Sequence, residues 1–330
     1  MNLIGIDIGG TKCAVILGSL SKDGDLKIID KLVWLTSEFP VPGLMIRQFQ
    51  GGISGLAKKH HLGIDEISSI GISCGGPLDS KTGVILSPPN LPGWDEVHIV
   101  NILQEKFRRP VAIQNDANAC ALAEWKFGAG RGTQNMVFLT FGTGMGAGLI
   151  IDGRLYSGTN DNAGEVGHMR LDNSGPVGYG KAGSFEGFCS GGGIAQLARV
   201  KAMEKLQMGE KVSYCNSITE LQSITAQMVA EAAFKGDPLA KEVFELCGTY
   251  LGRGLSIIID VLNPECIVLG SIFVRSGQLL IQQMQKAIEK ESLPLARKVC
   301  RIVPAQLEEQ IGDIASLSVA ADLLKTITNN

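Results

Sequence analysis

The 330-residue chain lacks the features that mark several specialised classes of protein. It has no run of about 18 apolar residues, so the sequence predicts no membrane span. It opens with neither a basic segment nor a small-residue cleavage site, which excludes a signal peptide and favours a cytoplasmic protein. Basic residues are not in excess, with 30 Lys and Arg against 33 Asp and Glu. That balance argues against nucleic acid as the main partner.

The eight cysteines form no C-x-x-C pair. Most lie in apolar runs, as Cys266 does at the start of the run 266–269. Such cysteines are typical of reduced thiols in the core of a cytosolic protein, rather than of disulfides or metal clusters.

The common glycine-rich nucleotide motifs are also missing. No G-x-x-x-x-G-K-[ST] run is present. The segment 142–146 lacks the G-x-G-x-x-G spacing and leads into a strand rather than a helix. The sequence therefore excludes a P-loop and a dinucleotide-binding fingerprint as the phosphate site.

What the chain does have is a pair of glycine-rich turns, 9–12 and 142–146, each between two short apolar strands. Such turns expose backbone N–H groups beside a Thr hydroxyl, and these groups bind phosphate oxygens. The alternative is a plain hairpin, in which glycine supplies the positive φ of a tight turn. Asp7, directly before the first turn, is a candidate to hold Mg²⁺ or its waters. The candidate phosphate-binding residues are Gly9, Gly10, Thr11, Lys12, Gly142, Thr143 and Gly144.

Length and patterning predict two lobes. The chain exceeds one ordinary domain, and its 45% hydrophobic content is enough for two cores. The first half reads β-β-β-α-β-α-β-α, and the second restarts with a hairpin at 136–151, which predicts a mixed α/β fold with duplicated sheets. We expect a small lobe of 1–115 together with the last helix, about 312–330. A larger lobe of 116–311 would follow, with a cleft between the two.

Polar residues follow one predicted strand and fill one long loop. Asn115 and Asp116 end the strand at 111–114, where either could cap the next helix or face a ligand. In the second case Asp116 is a candidate general base. Glu165, His168 and Glu186 come from a polar stretch around 152–184, which is either a solvated loop with an incidental His or a functional one.

Six segments together resemble one family. The segments occur in one order over nearly the whole chain. Together they resemble the ROK family of bacterial sugar kinases and sugar-responsive repressors. The resemblance implies a two-lobe, actin/hexokinase-like (ribonuclease H-like) ATPase fold with duplicated mixed β-sheets flanked by helices. The segments are 7–12, 75–77, 90–94, 115–119, 142–146 and 164–168.

The resemblance also implies an activity. A kinase of this family would transfer the γ-phosphoryl group of ATP, with Mg²⁺, to a hexose, at the 6-hydroxyl of glucose or of mannose, an N-acetylhexosamine or fructose. Asp116 resembles the base, and Gly270 resembles a residue near the nucleotide. Family members are often homodimers or homotetramers. The residues that resemble sugar ligands are Gly76, Asn90, Asn115, Asp116, Glu165, His168 and Glu186.

Two other functions stay open. Repressors of the family carry a helix-turn-helix domain before the first phosphate turn, and the six residues ahead of Asp7 leave no room for one, so we expect no binding to nucleic acid. The other alternative is a catalytically weak, sugar-binding regulatory protein.

The chain departs from the family pattern at two places. Zinc-containing members carry three cysteines after the G-H pair, and Val177, Tyr179 and Ser184 stand at those positions here. None of them offers a thiolate, so we expect no structural zinc and a loop held by packing, through Tyr179 and Phe185. The second departure is Ser271, where the family usually has a glycine close to the adenosine.

The first departure is directly testable. Metal analysis of the purified protein should find no stoichiometric zinc, because the three thiolates are missing. One zinc ion per chain would contradict this prediction.

Overall fold

A computed structural model of the protein describes residues 1–307 and 310–328, with the side chain of residue 328 left out. Its elements follow the predicted order closely. The strands are β1 (Asn2–Ile8), β2 (Lys12–Leu20), β3 (Leu26–Leu35), β4 (Ile67–Cys74), β5 (Leu78–Asp79), β6 (Val84–Ile85), β7 (Val111–Asn115), β8 (Met136–Leu139), β9 (Ala147–Ile151), β10 (Arg154–Tyr156), β11 (Val177–Gly178), β12 (Lys181–Ala182), β13 (Cys266–Leu269) and β14 (Arg301–Pro304).

The helices in the same residues account for most of the remaining chain. They are α1 (Pro42–Lys59), α2 (Ile99–Phe107), α3 (Asp116–Phe127), α4 (Phe185–Phe188), α5 (Gly191–Gln207), α6 (Ala226–Phe234), α7 (Pro238–Leu262), α8 (Ile272–Glu291), α9 (Pro294–Val299) and α10 (Ile311–Thr328). None of these helices is both long enough and apolar enough to cross a membrane.

The chain forms two compact units. Unit 1 comprises Met1–Gly132, Gly148–Ala163 and Gln306–Asn330, and unit 2 comprises Thr133–Ala147 and Gly164–Ala305. The sequence-based division into lobes, with its cleft, stays a prediction, and its last two residues, 329 and 330, lie outside the described residues.

Unit 1 is built on a five-stranded sheet in the order β3-β2-β1-β4-β7. Strands β1, β4 and β7 are parallel, whereas β2 and β3 are antiparallel additions to one side. The register aligns Ile8 with Cys74 and Cys74 with Asn115. The carboxyl ends of the three parallel strands therefore meet at one edge, which is where ligands bind in open α/β sheets.

Helices cover both faces of this sheet. Phe49 and Ile53 of α1 are fully buried in a core with Ile6 and Ile72 of the sheet. On the opposite face a second core brings Leu317 and other residues of α10 against β1 and β2. The C-terminal helix therefore belongs to the same unit as the N-terminal strands.

Paired glycines allow α10 to lie close to the sheet. Gly5 of β1 and Gly71 of β4 are register partners. A Cβ on Gly71 would overlap the backbone of α10 at Ser316 and Ala320, and a Cβ on Gly5 would overlap the Ser316 hydroxyl. Ser69 adds a direct tie, since its hydroxyl donates to the Ala320 carbonyl at 2.9 Å.

Unit 2 repeats the parallel part of this arrangement. Strands β8, β13 and β14 are parallel in that order, as β1, β4 and β7 are in unit 1. The register aligns Leu139 with Leu269, so the turn after β8 and the segment after β13 leave the sheet at the same edge. The residues after β13 lead at once into α8.

The predicted loop at 152–184 needs correction. It contains β10, the β11–β12 hairpin and a single 3-10 turn at Val166–His168. These pieces have two or three residues each, too few for side-chain periodicity to reveal them. Helix α8 begins at Ile272, with Ser271 at its N-cap position.

The close contact of α10 with the sheet yields a test. Gly71→Ala should lower the free energy of unfolding by about 1–3 kcal/mol, because the methyl group has no room without displacing helix backbone. Urea unfolding would measure the change. Gly55→Ala is the matched control: it lies on an open face of α1 and should stabilise the protein by up to about 1 kcal/mol through helix propensity. Equal effects of the two substitutions would contradict this account.

Candidate functional site

The carboxyl edge of the unit 1 sheet collects several of the predicted site residues. Asp7 lies in β1 one residue before its end, Gly76 follows β4, and Asn115 ends β7. Asp116 is the first residue of α3. The register of the parallel strands is what brings these four residues to one edge.

Asn115, rather than Asp116, caps α3. The backbone N–H of Asn118 donates to Asn115 Oδ1 at 2.8 Å, which satisfies one of the free donors at the helix start. The Asp116 carboxylate accepts from the backbone N–H of Ala117 at 2.8 Å. Helix capping therefore accounts for Asn115 but not for Asp116.

Asp7 has an unusual electrostatic environment. Burial, followed by the neighbouring charges of Asp313 and Asp116, raises its pKa to about 6, and Lys31 opposes the shift only in part. A half-buried carboxyl group beside two other carboxyl groups favours a proton or a cation. Mg²⁺ is commonly held by one or two carboxylates together with waters and substrate phosphates. The residues around Asp7 therefore fit that ion.

A complete protein cage for a metal is absent from the described residues. No group of three or more His, Cys, Asp or Glu side chains lies close enough together to hold an ion in residues 1–307 and 310–328. Any ion at Asp7 would therefore take most of its ligands from waters and substrate.

Asp116 also has a raised pKa. The cause is burial by surrounding protein atoms, opposed by hydrogen bonds from backbone N–H groups. Its carboxylate is nevertheless reached by solvent, and solvent screening limits the size of such a shift. The direction is the one that makes a carboxylate a better proton acceptor near neutral pH.

The first glycine-rich turn is held in place by Thr36. Gly9 N–H donates to the Lys12 carbonyl at 3.1 Å to close the turn, and the Thr36 hydroxyl donates to the Gly9 carbonyl at 2.7 Å. A Cβ on Gly10 would lie 2.7 Å from the Asn90 carbonyl oxygen. The absence of a side chain at Gly10 thus brings Asn90 next to the turn, while Thr11 and Lys12 remain exposed.

The second turn, in unit 2, is tied to Glu186. Gly142 N–H donates to the Gly144 carbonyl at 3.1 Å, and Met145 N–H donates to Glu186 Oε2 at 2.9 Å. One oxygen of this predicted sugar-binding carboxylate therefore already supports the turn. Glu186 links the phosphate-type turn to the segment that carries the other polar candidates.

Glu165 and His168 flank one 3-10 turn, and both side chains are exposed. His168 N–H donates to the Glu165 carbonyl at 3.1 Å. Between them Gly167 packs so closely that a Cβ there would overlap the Met145 carbonyl and lie 3.2 Å from Glu186 Cβ. The structure thus brings Glu165, His168 and Glu186 together beside the second turn.

Direct contacts hold the segment in which the zinc cysteines are missing. Lys181 Nζ donates to the His168 carbonyl at 2.6 Å, and the Tyr179 ring meets the His168 ring edge-on at 5.8 Å between centroids. Phe185 is fully buried against Gly254. Tyr179 is 80% exposed, so its contribution is limited to the His168 contact. All eight cysteines are free.

Unit 2 contains a cavity of about 810 Å³ beside the second turn. Three helix N-termini line it: Gly191 and Gly192 of α5, Thr225 before α6, and Ser271 before α8. Helix N-termini attract anions, because their N–H groups are unpaired and the helix dipole is positive there. Gly142 and Thr143 of the turn complete this end of the cavity.

The cavity extends away from the turn along α5. Gly191 N–H donates to the Gly142 carbonyl at 2.8 Å, and Arg199, two helical turns later, also lines the cavity, about 12 Å along the axis. Gln227, Glu231 and Phe234 of α6 add a mixed polar and aromatic wall. The size falls within the usual range of small-ligand sites.

Sequence reasoning missed most of this cavity. Of the predicted nucleotide residues, Gly142 and Thr143 line it, but Gly144 and Gly270 do not. Gly270 instead packs against Phe138, where a Cβ would lie 3.1 Å from the ring. The sequence Ser190–Gly193 did carry a signal for the part of the cavity formed by α5. A serine followed by glycines marks a helix start whose first residues have no side chains to cover the N–H groups.

Comparison with known proteins agrees with this architecture. Residues 3–325 match the sequence pattern of the ROK family. The glucokinase of Halalkalibacterium halodurans is 30% identical over 293 residues, which are 88% of this chain and 86% of that protein. The DNA-binding transcriptional repressor Mlc of Escherichia coli is 27% identical over 267 residues, 81% of this chain and 63% of that protein.

A solved structure extends the comparison to the fold. The crystal structure of a ROK family glucokinase from Streptomyces griseus, in complex with glucose and AMPPNP, is 26% identical with a TM-score of 0.73. The similarity covers 98% of this chain and 100% of that one. The protein therefore has an α/β fold of the actin/hexokinase-like class with duplicated sheets flanked by helices, as the sequence predicted. The chain belongs to the ROK family.

The Asp7 environment predicts a pH dependence. The folded-state pKa of about 6 exceeds the ordinary value of 3.8, so protonation stabilises the fold at low pH and this stability is lost as the pH rises through 6. Relative to Asp7→Asn, the wild type should lose about 2 kcal/mol of unfolding free energy between pH 4 and pH 7.5. Urea unfolding across that range would measure it.

Asp79→Asn is the control for this experiment. Hydrogen bonds from Thr82 lower the pKa of Asp79, so its contribution has the opposite sign, appears as the pH rises from that lowered pKa to the ordinary value, and is complete above it. The difference between the wild type and Asp79→Asn should therefore stay nearly flat between about pH 4 and pH 7.5. A flat difference between wild type and Asp7→Asn would contradict the proposed environment of Asp7.

Proposed function

We propose that the protein is an ATP-dependent sugar kinase with Asp116 as its general base. The observation that carries the proposal is the placement of Asp116, a carboxylate of raised pKa at the carboxyl edge of the sheet, beside Asp7 and next to the helix cap Asn115. The glucokinase relatives support the same reaction class.

The proposed reaction is a direct transfer that forms no covalent bond to the protein. Asp116 accepts the proton of the sugar hydroxyl as its oxygen attacks the γ-phosphorus of ATP, and ADP leaves with the bridging oxygen. Asp7 would hold Mg²⁺ or its waters, and the ion, when bound, neutralises charge on the phosphates. The remaining residues align the two substrates, which is the main requirement of phosphoryl transfer.

A sugar needs several polar groups around its ring, and the candidates fit that need. The candidate sugar ligands are the side chains of Asn90, Asn115, Glu165 and His168 and the backbone at Gly76. Glu186 has one oxygen occupied by Met145 N–H, so it would contact the sugar with the other. Glucose, mannose, an N-acetylhexosamine or fructose are the candidate substrates, with phosphorylation at the 6-hydroxyl.

The cavity in unit 2 supports ATP as the donor. Its three helix N-termini and the second glycine-rich turn form an anion-attracting end, and Phe234 and Ala230 add apolar surface farther along. A nucleotide combines a chain of phosphates with an aromatic base. The anion-attracting end would hold the phosphates, and the apolar surface would contact the base. Gly9, Gly10, Thr11 and Lys12 of the first turn are further candidate phosphate-binding residues.

We further propose a cytoplasmic homodimer or homotetramer. Apolar side chains on α7 are exposed, with Val261 at 74% and Ile257 at 41%. Exposed apolar groups on one helix are typical of protein interfaces.

A sugar-binding regulatory role is the second candidate, and the similarity to the repressor Mlc favours it. In that case the sugar pocket would be kept while turnover is weak. The two functions share the candidate sugar ligands and differ in whether Asp116 supports catalysis.

A coupled ADP-release assay with Mg·ATP and a panel of hexoses and N-acetylhexosamines would test the proposal. Asp116→Ala should lower kcat by about 10²–10⁴ on the preferred sugar, because the attacking hydroxyl loses its base. Asp23→Ala, at an exposed turn, is the control and should keep full activity.

Two outcomes would count against this proposal. Unchanged turnover in Asp116→Ala would refute the role of that residue. No turnover of any sugar by the wild type, with sugar binding still visible as a thermal shift, would favour the regulatory candidate.

A further inference from the structure

Ser271 has a backbone conformation that a side chain rarely adopts. Its φ is 49° and its ψ is −104°, a region that glycine enters freely and other residues enter at a cost in free energy. A glycine would therefore be the favourable residue at this place. The presence of a serine calls for a reason that outweighs the strain.

Capping does not supply that reason. Ser271 stands at the N-cap position of α8, where serine normally accepts a hydrogen bond from the backbone of the first turn. No such bond is made by its side chain. Thr225 and Ser190, which cap α6 and α5 around the same cavity, do accept bonds of this kind.

The hydroxyl instead pairs with a cation over the second turn. Arg275 Nη2 donates to Ser271 Oγ at 3.2 Å. A Cβ on Gly142 would lie 3.5 Å from the same oxygen, so the hydroxyl faces the turn. Ser271, Arg275 and Gly142 all line the cavity.

Arg275 has no acidic partner within the described part of the chain. The ion pairs of residues 1–307 and 310–328 do not include it. Its guanidinium has five N–H donors. Within residues 1–307 and 310–328, these donors make one hydrogen bond, to Ser271. Its remaining donors are available to an anion, and phosphate is the anion that an Arg fork fits best.

We propose that Ser271 and Arg275 form a phosphate-binding pair that contacts the phosphate chain of the phosphoryl donor. Arg275 supplies charge, and the Ser271 hydroxyl, oriented by Arg275, donates its proton to a phosphate oxygen above Gly142. This inference rests on the proposed kinase function, and it assigns donor binding to two residues at the start of α8. The hydrogen bond from the Ser271 hydroxyl to phosphate offsets the free-energy cost of the positive φ, and a glycine would lose that bond.

Binding measurements with three probes test the pair without relying on turnover. Calorimetry with inorganic tripolyphosphate, ADP and adenosine would be run on the wild type, Ser271→Gly and Arg275→Gln. Each variant should bind tripolyphosphate and ADP about tenfold more weakly or worse, as expected for a lost hydrogen bond to a charged group. Adenosine, which has no phosphate, should bind all three proteins equally.

Thermal unfolding separates this role from a structural one. Ser271→Gly should be at least as stable as the wild type, because it relieves the positive φ. Asn263→Gly is the matched control: Asn263 also has a positive φ, of 45°, but it is exposed at the end of α7 and does not line the cavity. That control should leave the affinity for all three probes unchanged.

The outcomes distinguish this inference from the proposed function. Variants that bind tripolyphosphate as tightly as the wild type would refute the pair, even if the protein phosphorylates a sugar. An equal loss of adenosine binding would also refute it, since the cavity itself would then have changed. If the wild type turns over no sugar but the variants lose tripolyphosphate alone, the pair stands and the kinase function fails.

Discussion

The close packing of α10 against the sheet of unit 1 is the contact on which the rest of that unit depends. Gly5 and Gly71 lie side by side on neighbouring strands, and the backbone of α10 occupies the space where their side chains would be. This contact buries one face of the sheet and joins the two ends of the chain in a single core. It also sets Asp313, in the first turn of α10, beside Asp7 at the carboxyl edge.

The candidate site residues of unit 1 lie at that edge. Three parallel strands end together there. Burial and the nearby charges of Asp313 and Asp116 raise the pKa of Asp7, and burial raises the pKa of Asp116. Neighbouring carboxyl groups favour a bound cation, and a glycine-rich turn nearby could bind phosphates. This edge therefore suits a phosphorylated substrate bound together with a cation. Unit 2 has a cavity lined by three helix N-termini and Arg275, and helix N-termini favour anions.

Much of the fold and part of the candidate site could be predicted from the sequence. The hairpin predicted at 136–151 corresponds to β8 and β9, because a glycine-rich turn between two short apolar runs is a strong local signal. The cavity of unit 2 was largely missed, because its lining comes from five separate segments of the chain, and exposed residues such as Gln227 and Arg275 carry no periodic signal. Elements of two or three residues, such as β11, were missed for lack of length.

The sequence by itself determined the order of elements, the two glycine-rich turns and the family, since each depends on local patterns of glycine, polar and apolar residues. Tertiary structure alone decided which side chains share a site and what state they are in. Asn115, and not Asp116, became the helix cap; Glu186 became bound to the second turn; and Ser271 took up a positive φ and accepts a hydrogen bond from Arg275. These outcomes depend on burial, strand register and helix position, which arise from contacts between residues distant in the chain.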